Sequence, residues 1–372
     1  MVGGGEGAFI GAVHRIASRI DDQYELVAGA LSSTPDKARR SGEALGLGAD
    51  RVYDDYESMA KAEAKRPDGI EAAAIVTPNN VHAGATYAFL KAGIHVICDK
   101  PLTVSLAEAK KMKAAVEKSG RIFALTHNYT GYPLVRRMRE MVRNGELGDI
   151  RLVHAEYPQD WLTGATEKTG NKQAEWRVDP KRSGAGGSLG DIGTHAYNLA
   201  DYVTGLDLAE LAADLTSFGA GRQLDDNAQI MLRFANGARG AIWASQVAPG
   251  NENGLMLRVY GTKAGLQWRQ DNPNYLFFSP YEKSTRIITR AGPEAGEAAA
   301  RVTRIPPGHP EGYLEGFANV YSEVAAVIKA ARTGKKPPKG VHFPTIDDGV
   351  KGLAFVEAAV KSSKANGRWV RP

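Results

Sequence analysis

The feature that most limits what this chain can become is the alternation of short apolar runs with helix-like segments across its first 128 residues. Residues 24–31 (YELVAGAL), 70–76, 94–98 and 121–126 read as strands. Residues 8–20 carry Ile10, Val13, Ile16 and Ile20 at helical spacing. Thr34 before Pro35 reads as a hydroxyl cap, with proline at the first position of a helix running to about Leu45. Another helix ends near Gly93, and Ser105 with Glu108 makes a capping box for a helix that stops at Gly120. Strands and helices alternating at this pitch form parallel βαβ units, so the expected fold is α/β with a doubly wound parallel sheet. Such sheets bind ligands beyond the carboxyl ends of their strands. That edge gathers Gly3–Gly7, Ser32–Ser33, Thr77–Asn79, Asp99–Lys100 and His127–Asn128.

After residue 150 the rhythm changes. Residues 208–218, 227–234, 239–247 and 254–260 alternate without intervening helices, and Asn236-Gly237 is a hairpin-turn signal. These features predict an α+β second domain with an open, mainly antiparallel sheet, followed by helices at about 311–331 and 345–363. A chain of 372 residues is long for one core. The expected division is 1–128 and 129–372, allowing that the late helices pack back on the first domain.

Charge excludes one class of partner. The net charge of +5 spreads 47 basic residues among 42 acidic ones, and the densest basic stretch, Lys335, Lys336 and Lys339, is broken by Pro337 and Pro338. A nucleic-acid surface needs a coherent basic face, so no nucleic-acid partner is expected. Apolar runs fall far short of the roughly twenty residues that span a bilayer, and the N-terminus lacks the pattern of a secretory signal, so no membrane partner is expected either. Cys98 is the only cysteine, which rules out an internal disulfide. A reduced, cytoplasmic setting follows by elimination.

Gly3, Gly5 and Ala8 fit G-x-G-x-x-G/A, and Phe9 and Ile10 open the helix behind them. In such a turn the first glycine allows the tight bend and the second admits a pyrophosphate against the backbone. The small third residue permits close helix packing, and the helix N-terminus favours the phosphates. Only Met1 and Val2 precede the turn, whereas a central strand normally has about five residues. Either the first strand is very short or residues upstream of Met1 complete it, and the second is the expectation.

Lys100 follows the 94–98 strand within Asp99-Lys100-Pro101, where its ammonium can hydrogen-bond a reacting oxygen; a surface lysine in a turn is the plainer alternative. Farther on, GAGGSLGDIGTHAYNLADYVTG (184–205) delivers a glycine-rich loop into a helix expected to start near Asp191. Asp191, His195 and Asn198 fall at i, i+4 and i+7 on one polar face. Ile192, Ala196, Leu199 and Val203 take another. A carboxylate four residues before an imidazole can orient it as a general base. An ordinary capping Asp with a satisfied His is the alternative, and zinc fits less well for want of a third ligand.

Together these motifs resemble the glucose-fructose oxidoreductase / inositol dehydrogenase / MocA (Gfo/Idh/MocA) family over nearly the whole chain. The glycine turn at 3–8, TPNNVH at 77–82, CDKP at 98–101 and GDIGTH at 190–195 stand in the family's order, with Trp176-Arg177 and SGAGG (183–187) before the last. The resemblance implies a Rossmann domain joined to an antiparallel sheet through which homodimers or homotetramers assemble. It implies that Lys100 polarises the substrate oxygen, Asp191 binds or orients substrate, and His195 is the acid/base. Thr77, Pro78, Asn79 and His82 fall on the cofactor side with Asp99, where the family usually has Glu. His127, Asn128 and Tyr129 fall where the family lines its pocket.

Other pocket candidates are Asp160 and Trp161, where an aromatic face beside a carboxylate suits a pyranose ring, together with Arg177 and His309. Tyr313 and Asn319, in the late helical stretch, either close the pocket or anchor that helix. The expected activity is NAD- or NADP-dependent oxidation of a secondary hydroxyl on a polyhydroxylated ring. A redox-neutral, NAD-dependent glycoside-cleaving enzyme and a non-catalytic dinucleotide-binding protein are the alternatives. NAD-selective Rossmann domains usually carry Asp or Glu at the end of the second strand. Here Ala30-Leu31-Ser32-Ser33 offers none before Asp36, and Lys37, Arg39 and Arg40 follow, so either cofactor is expected to work, with Ser32, Ser33 and Lys37 at the ribose.

Overall fold

Val2–Gly3 (β1), Ala72–Val76 (β2), His95–Cys98 (β3) and Phe123–Leu125 (β4) lie side by side in that order, all parallel, in the computed structural model, which describes residues 1–372. The run 24–31 was expected as a full strand, but only its end pairs. Ala30 bridges Val2, Gly29 bridges Val52, and the ties are Gly3 N to Ala30 O and Tyr53 N to Gly29 O, each 2.9 Å. Its partner stretches, Met1–Gly3 and Arg51–Tyr53, are too short to give residues 24–27 a ladder to join. With these bridged positions included, the order across the sheet is Val52, Gly29–Ala30, β1, β2, β3, β4. In chain order that is third, second, first, fourth, fifth and sixth, the order of a doubly wound dinucleotide-binding sheet.

Helices Phe9–Arg19 (α1), Pro35–Ala44 (α2), Tyr56–Glu63 (α3), Asn79–Lys91 (α4) and Leu106–Ser119 (α5) connect these strands. The Ser105 hydroxyl accepts the Glu108 N–H at 3.3 Å and Gly120 closes α5 in the left-handed conformation, but the capping box is half formed, with Glu108 Oε2 buried and without a hydrogen-bond partner. Thr34 departs from expectation. Its hydroxyl caps nothing, because the chain turns earlier, with Ser32 Oγ accepting the Thr34 N–H at 3.1 Å; Pro35 still opens α2. This first unit comprises Met1–Asn128 with Leu314–Val350 and buries Phe89, Ile97, Leu102, Met112 and Phe317.

The second unit comprises Tyr129–Tyr313 with Lys351–Pro372. Its helices are Pro133–Arg143 (α6), Lys172–Arg177 (α7), Pro180–Ser183 (α8), Thr194–Thr204 (α9) and Gly296–Ala300 (α10). The chain then runs through Tyr313–Arg332 (α11) and Ile346–Lys364 (α12). Its strands are Ile150–Pro158 (β5), Leu208–Thr216 (β6), Asn227–Phe234 (β7), Arg239–Ser245 (β8), Met256–Gly261 (β9), Ala264–Arg269 (β10), Tyr275–Pro280 (β11) and Arg286–Thr289 (β12). They form one sheet in the order β12-β11-β10-β9-β5-β8-β7-β6, antiparallel except where β5 meets β8. Along β5, Val153, Ala155 and Tyr157 are buried and share a core with Leu134 and Met138 of α6 and Leu199 and Val203 of α9. Leu152, His154 and Glu156 point to the other face, which also exposes Met231, Tyr260 and Ile287. No helix is long and apolar enough to cross a membrane.

A buried ion pair fixes the chain ahead of α11. The side chains of Arg290 and Glu311 are 2% and 1% exposed and meet at 2.9 Å. The guanidinium also donates to Asn274 Oδ1 and to the carbonyls of Ile305, Pro306 and His309, while Glu311 accepts the Arg304 and Ile305 N–H groups. Removing one partner strands a desolvated charge. Arg290→Met is expected to lower unfolding free energy by about 3–5 kcal/mol in urea denaturation. A loss below about 1 kcal/mol would mean that the pair is dispensable.

Candidate active site

At the carboxyl edge of the parallel sheet the glycine turn is built by close backbone approach. Gly3 and Gly4 both take φ +74° and Gly7 takes φ +75°. A Cβ on Gly5 would stand 2.7 Å from Leu31 O and from Ser41 Oγ, and one on Gly11 would stand 2.3 Å from Gly4 Cα. The tightest helix-to-turn approach is therefore at Gly11, one turn beyond Ala8, which is the residue before α1. Phe9 is 66% exposed at the helix N-terminus. A cleft of about 700 Å³ opens along the turn, lined among others by Gly5, Gly7, Phe9, Arg15 and Arg40.

The remaining turns of that edge carry the polar groups. His82 in α4 sets Nε2 2.9 Å from Thr77 O and Nδ1 2.9 Å from Pro101 O, tying the turn after β2 to the turn after β3. Asp99 Oδ1 accepts the Lys100 N–H and the Thr126 hydroxyl, both at 2.8 Å, and faces His14 Nε2 at 4.0 Å. His127 is buried and pushed down to about 3 by burial and by the Lys100 charge, so it is neutral beside the ammonium. Thr77 Oγ1 and Asn128 Nδ2 are buried with no hydrogen-bond partner. A cradle that no Cβ could enter, a helix N-terminus and two unspent polar groups fit a dinucleotide.

In the second unit, the segment expected as a helix from Asp191 begins as a π-helical turn, Leu189–Gly193, before α9. Asp191 and His195 are thus not one α-helical turn apart, because the wider turn changes the angular step between them. Asp191 Oδ2 accepts Arg177 Nε at 3.2 Å and Gln246 Nε2 at 2.9 Å. The Arg177 guanidinium lies 4.3 Å over the Trp176 ring and 6.0 Å from that of Trp161. His195, 7% exposed, packs edge-on against Tyr129 with ring centroids 4.9 Å apart, and Tyr157 lies 6.1 Å away. Tyr129 and Tyr157 share a hydroxyl hydrogen bond of 2.5 Å, and Tyr157 donates to Asn253 Oδ1 at 2.8 Å. Burial raises both phenols, so they are neutral donors.

Of the other candidates, Trp161 is partly buried and donates to Gln159 Oε1 at 3.0 Å, while Asp160 accepts the Gly250 N–H at 3.3 Å. His309 is exposed on its turn. Tyr157, Gln246, Asn253 and Asp225 were missed. Each lies on or beside a strand whose neighbours are distant in sequence, and only the paired acids Asp225-Asp226 offered a signal.

An α/β sheet with a dinucleotide cradle, followed by a buried Asp/His segment on a second domain, defines a nicotinamide-dependent oxidoreductase. Residues 1–127 match the oxidoreductase family with an NAD-binding Rossmann fold, and residues 135–267 match the GFO/IDH/MocA C-terminal domain. The chain belongs to the Gfo/Idh/MocA family. An oxidoreductase from Sinorhizobium meliloti is 59% identical, with a TM-score of 0.91 and coverage of 100% of this chain and 98% of that one. An inositol dehydrogenase homolog from Azotobacter vinelandii, solved with NAD+, is 36% identical with a TM-score of 0.97, covering 100% and 96%; it was also solved with NADH and myo-inositol. Levoglucosan dehydrogenase of Pseudarthrobacter phenanthrenivorans is 27% identical over 100% of this chain and 96% of its own length.

The second bridged stretch bears on cofactor choice. Of the cations that follow it, Arg39 pairs with Asp36 and Arg40 with Glu6 at 3.3 Å, all largely exposed. Exposed pairs of this kind hold charges weakly, and Ser32 and Ser33 can meet a ribose hydroxyl or a phosphate. Specificity constants for NAD and NADP are expected to lie within about 100-fold, less than ~3 kcal/mol of discrimination. Steady-state kinetics with both cofactors decide it: NADP worse by more than about 10³-fold would require an acidic group acting at the ribose.

Proposed function

We propose that this protein oxidises a secondary hydroxyl of a polyhydroxylated ring, a cyclitol or sugar, with His195 as acid/base, Lys100 polarising the oxygen and Asp191 holding substrate. The observation that carries the reading is the construction around Asp191 and His195. One carboxylate is held by Arg177 and Gln246, and the imidazole that follows it is walled by Tyr129 and Tyr157. The bound dinucleotide supplies the hydride acceptor. His195 takes the hydroxyl proton as the carbinol hydrogen leaves with its electron pair, and the Lys100 ammonium stabilises negative charge building on the oxygen. Myo-inositol and levoglucosan, bound by the relatives, are both six-membered polyols. Arg177 beside Trp161 and Trp176 offers the aromatic and hydrogen-bonding surface such rings use. The open face of the second unit's sheet, with Leu152, Met231, Tyr260 and Ile287 exposed, is assigned to a second copy of the chain. The setting is assigned to the cytoplasm, where the lone, buried Cys98 stays reduced.

The test is a panel of cyclitols, sugars and glycosides with NAD and with NADP, following reduced-nicotinamide absorbance and aglycone release together. Accumulating reduced cofactor supports a dehydrogenase; aglycone release without it would move the chain to redox-neutral glycoside cleavage. On the best substrate, His195→Ala is expected to lower turnover about 10²–10⁴-fold at neutral pH with dinucleotide affinity preserved. Lys100→Met, which keeps much of the volume and removes the charge, is expected to lower it by about 10²-fold or more. Near-wild-type kinetics in either variant would remove that residue from the mechanism.

A further inference from the structure

We infer that the dipeptide Asp225-Asp226, in the turn before β7, is the positioning brace of the Asp191 carboxylate. This rests on Asp191 acting on substrate, as proposed above. Asp225 grips the loop that leads into the π-helical turn. Its Oδ1 accepts the Gly187 N–H at 2.7 Å, and its Oδ2 accepts the Ser188 hydroxyl and the Leu189 N–H, both at 2.8 Å. Its backbone carbonyl accepts the Ser188 N–H at 2.8 Å. The approach is so close that a Cβ on Gly187 would stand 2.0 Å from Asp225 O. Gly187 O then accepts the Asp191 N–H at 2.9 Å, so the grip on residues 187–189 fixes where Asp191 starts.

Asp226 works from the opposite side. Its carbonyl accepts the Gln246 N–H at 2.8 Å, and Gln246 in turn donates to Asp191 Oδ2. Its carboxylate, 1% exposed, takes the N–H groups of Phe218 and Gly219 and pairs with Arg222 at 3.0 Å. Arg222 also holds Glu167 at 3.0 Å and the Gly164 carbonyl at 2.6 Å, the loop just beyond Trp161. Two consecutive aspartates, through their carboxylates and the Asp226 carbonyl, therefore set the backbone from which Asp191 projects, the residue whose amide fixes its oxygen, and the loop that carries Trp161. Neither is a catalytic residue; both act through Asp191.

A double-mutant cycle tests this. Asp225→Asn keeps the shape and loses the charge and one acceptor. Kinetics use whichever of myo-inositol, levoglucosan and D-glucose the wild-type protein turns over fastest, with dinucleotide affinity and Tm measured in parallel. Asp225→Asn is expected to cost at least about tenfold in kcat/KM, since sub-ångström misplacement weakens reaction far more than binding. NAD affinity is expected to stay within about twofold. Combined with Asp191→Asn, it is expected to add less than about twofold to the loss of Asp191→Asn alone, the non-additivity of residues acting as one unit. Ser188→Ala, which removes a single hydroxyl, is run through the same cycle in case Asp225→Asn does not fold. Losses that multiply in the double mutant, or unaltered kinetics in Asp225→Asn, would overturn the brace. Wild-type kinetics in Asp191→Asn would instead overturn the role given to Asp191.

Discussion

Parallel strands share one direction, so every turn that leaves them emerges at the same edge of the sheet. The chemistry of the first unit depends on that constraint. Gly3, Thr77, Lys100 and Asn128 are far apart in the chain and meet only because β1, β2, β3 and β4 end together. Backbone then replaces side chain wherever the turns must close up. The helix lies so near the glycine turn that Gly11 faces Gly4 with no room for a methyl group. His82 and Asp99 stitch the neighbouring turns, each using one side chain to serve two of them.

Elements whose signals are local were legible in the sequence. Helix α5 announced itself by Ser105, Glu108 and Gly120; the serine cap and the glycine stop form as read, while the Glu108 carboxylate returns no bond to the cap. The run 24–31 was equally clear as an extended apolar stretch, yet how much of it pairs depends on the length of its partners, which no property of YELVAGAL encodes. Thr34 shows a finer limit. A hydroxyl before proline can cap a helix, but Ser32 captures the Thr34 N–H and turns the chain earlier.

The second unit repeats the lesson at longer range. Strands β6 to β9 alternate apolar and polar residues and were visible for that reason. Strand β5 was not read, although Val153-His154-Ala155-Glu156-Tyr157 alternates, because it stands alone between helical segments and its parallel partner β8 lies about ninety residues away. Strands β10 to β12 mix Gln267, Trp268 and Arg269 with aromatics and declare no period of two over enough residues to count. What closes the sheet is pairing between segments, and pairing is a property of two sequences at once.

The same distinction separates the site from its supports. Lys100, Asp191 and His195 stood out because each sits in a short motif. The assumption that failed was geometric. A spacing of four residues was read as one α-helical turn, whereas the turn is π-helical and Asp191 lies within it, ahead of α9. The two groups consequently owe their positions to different causes. His195 is carried by α9, whose orientation is set by Ala196, Leu199 and Val203 in the core of the second unit. Asp191 is carried by a backbone segment anchored on hydrogen bonds to the carboxylate and the carbonyl of Asp225. Core packing is insensitive to any single polar group, while a hydrogen-bonded loop can shift when one acceptor is lost. The imidazole should therefore be the rigid member of the pair and the carboxylate the adjustable one, because the anchor at residues 187–189 can shift Asp191 without moving the core that carries His195.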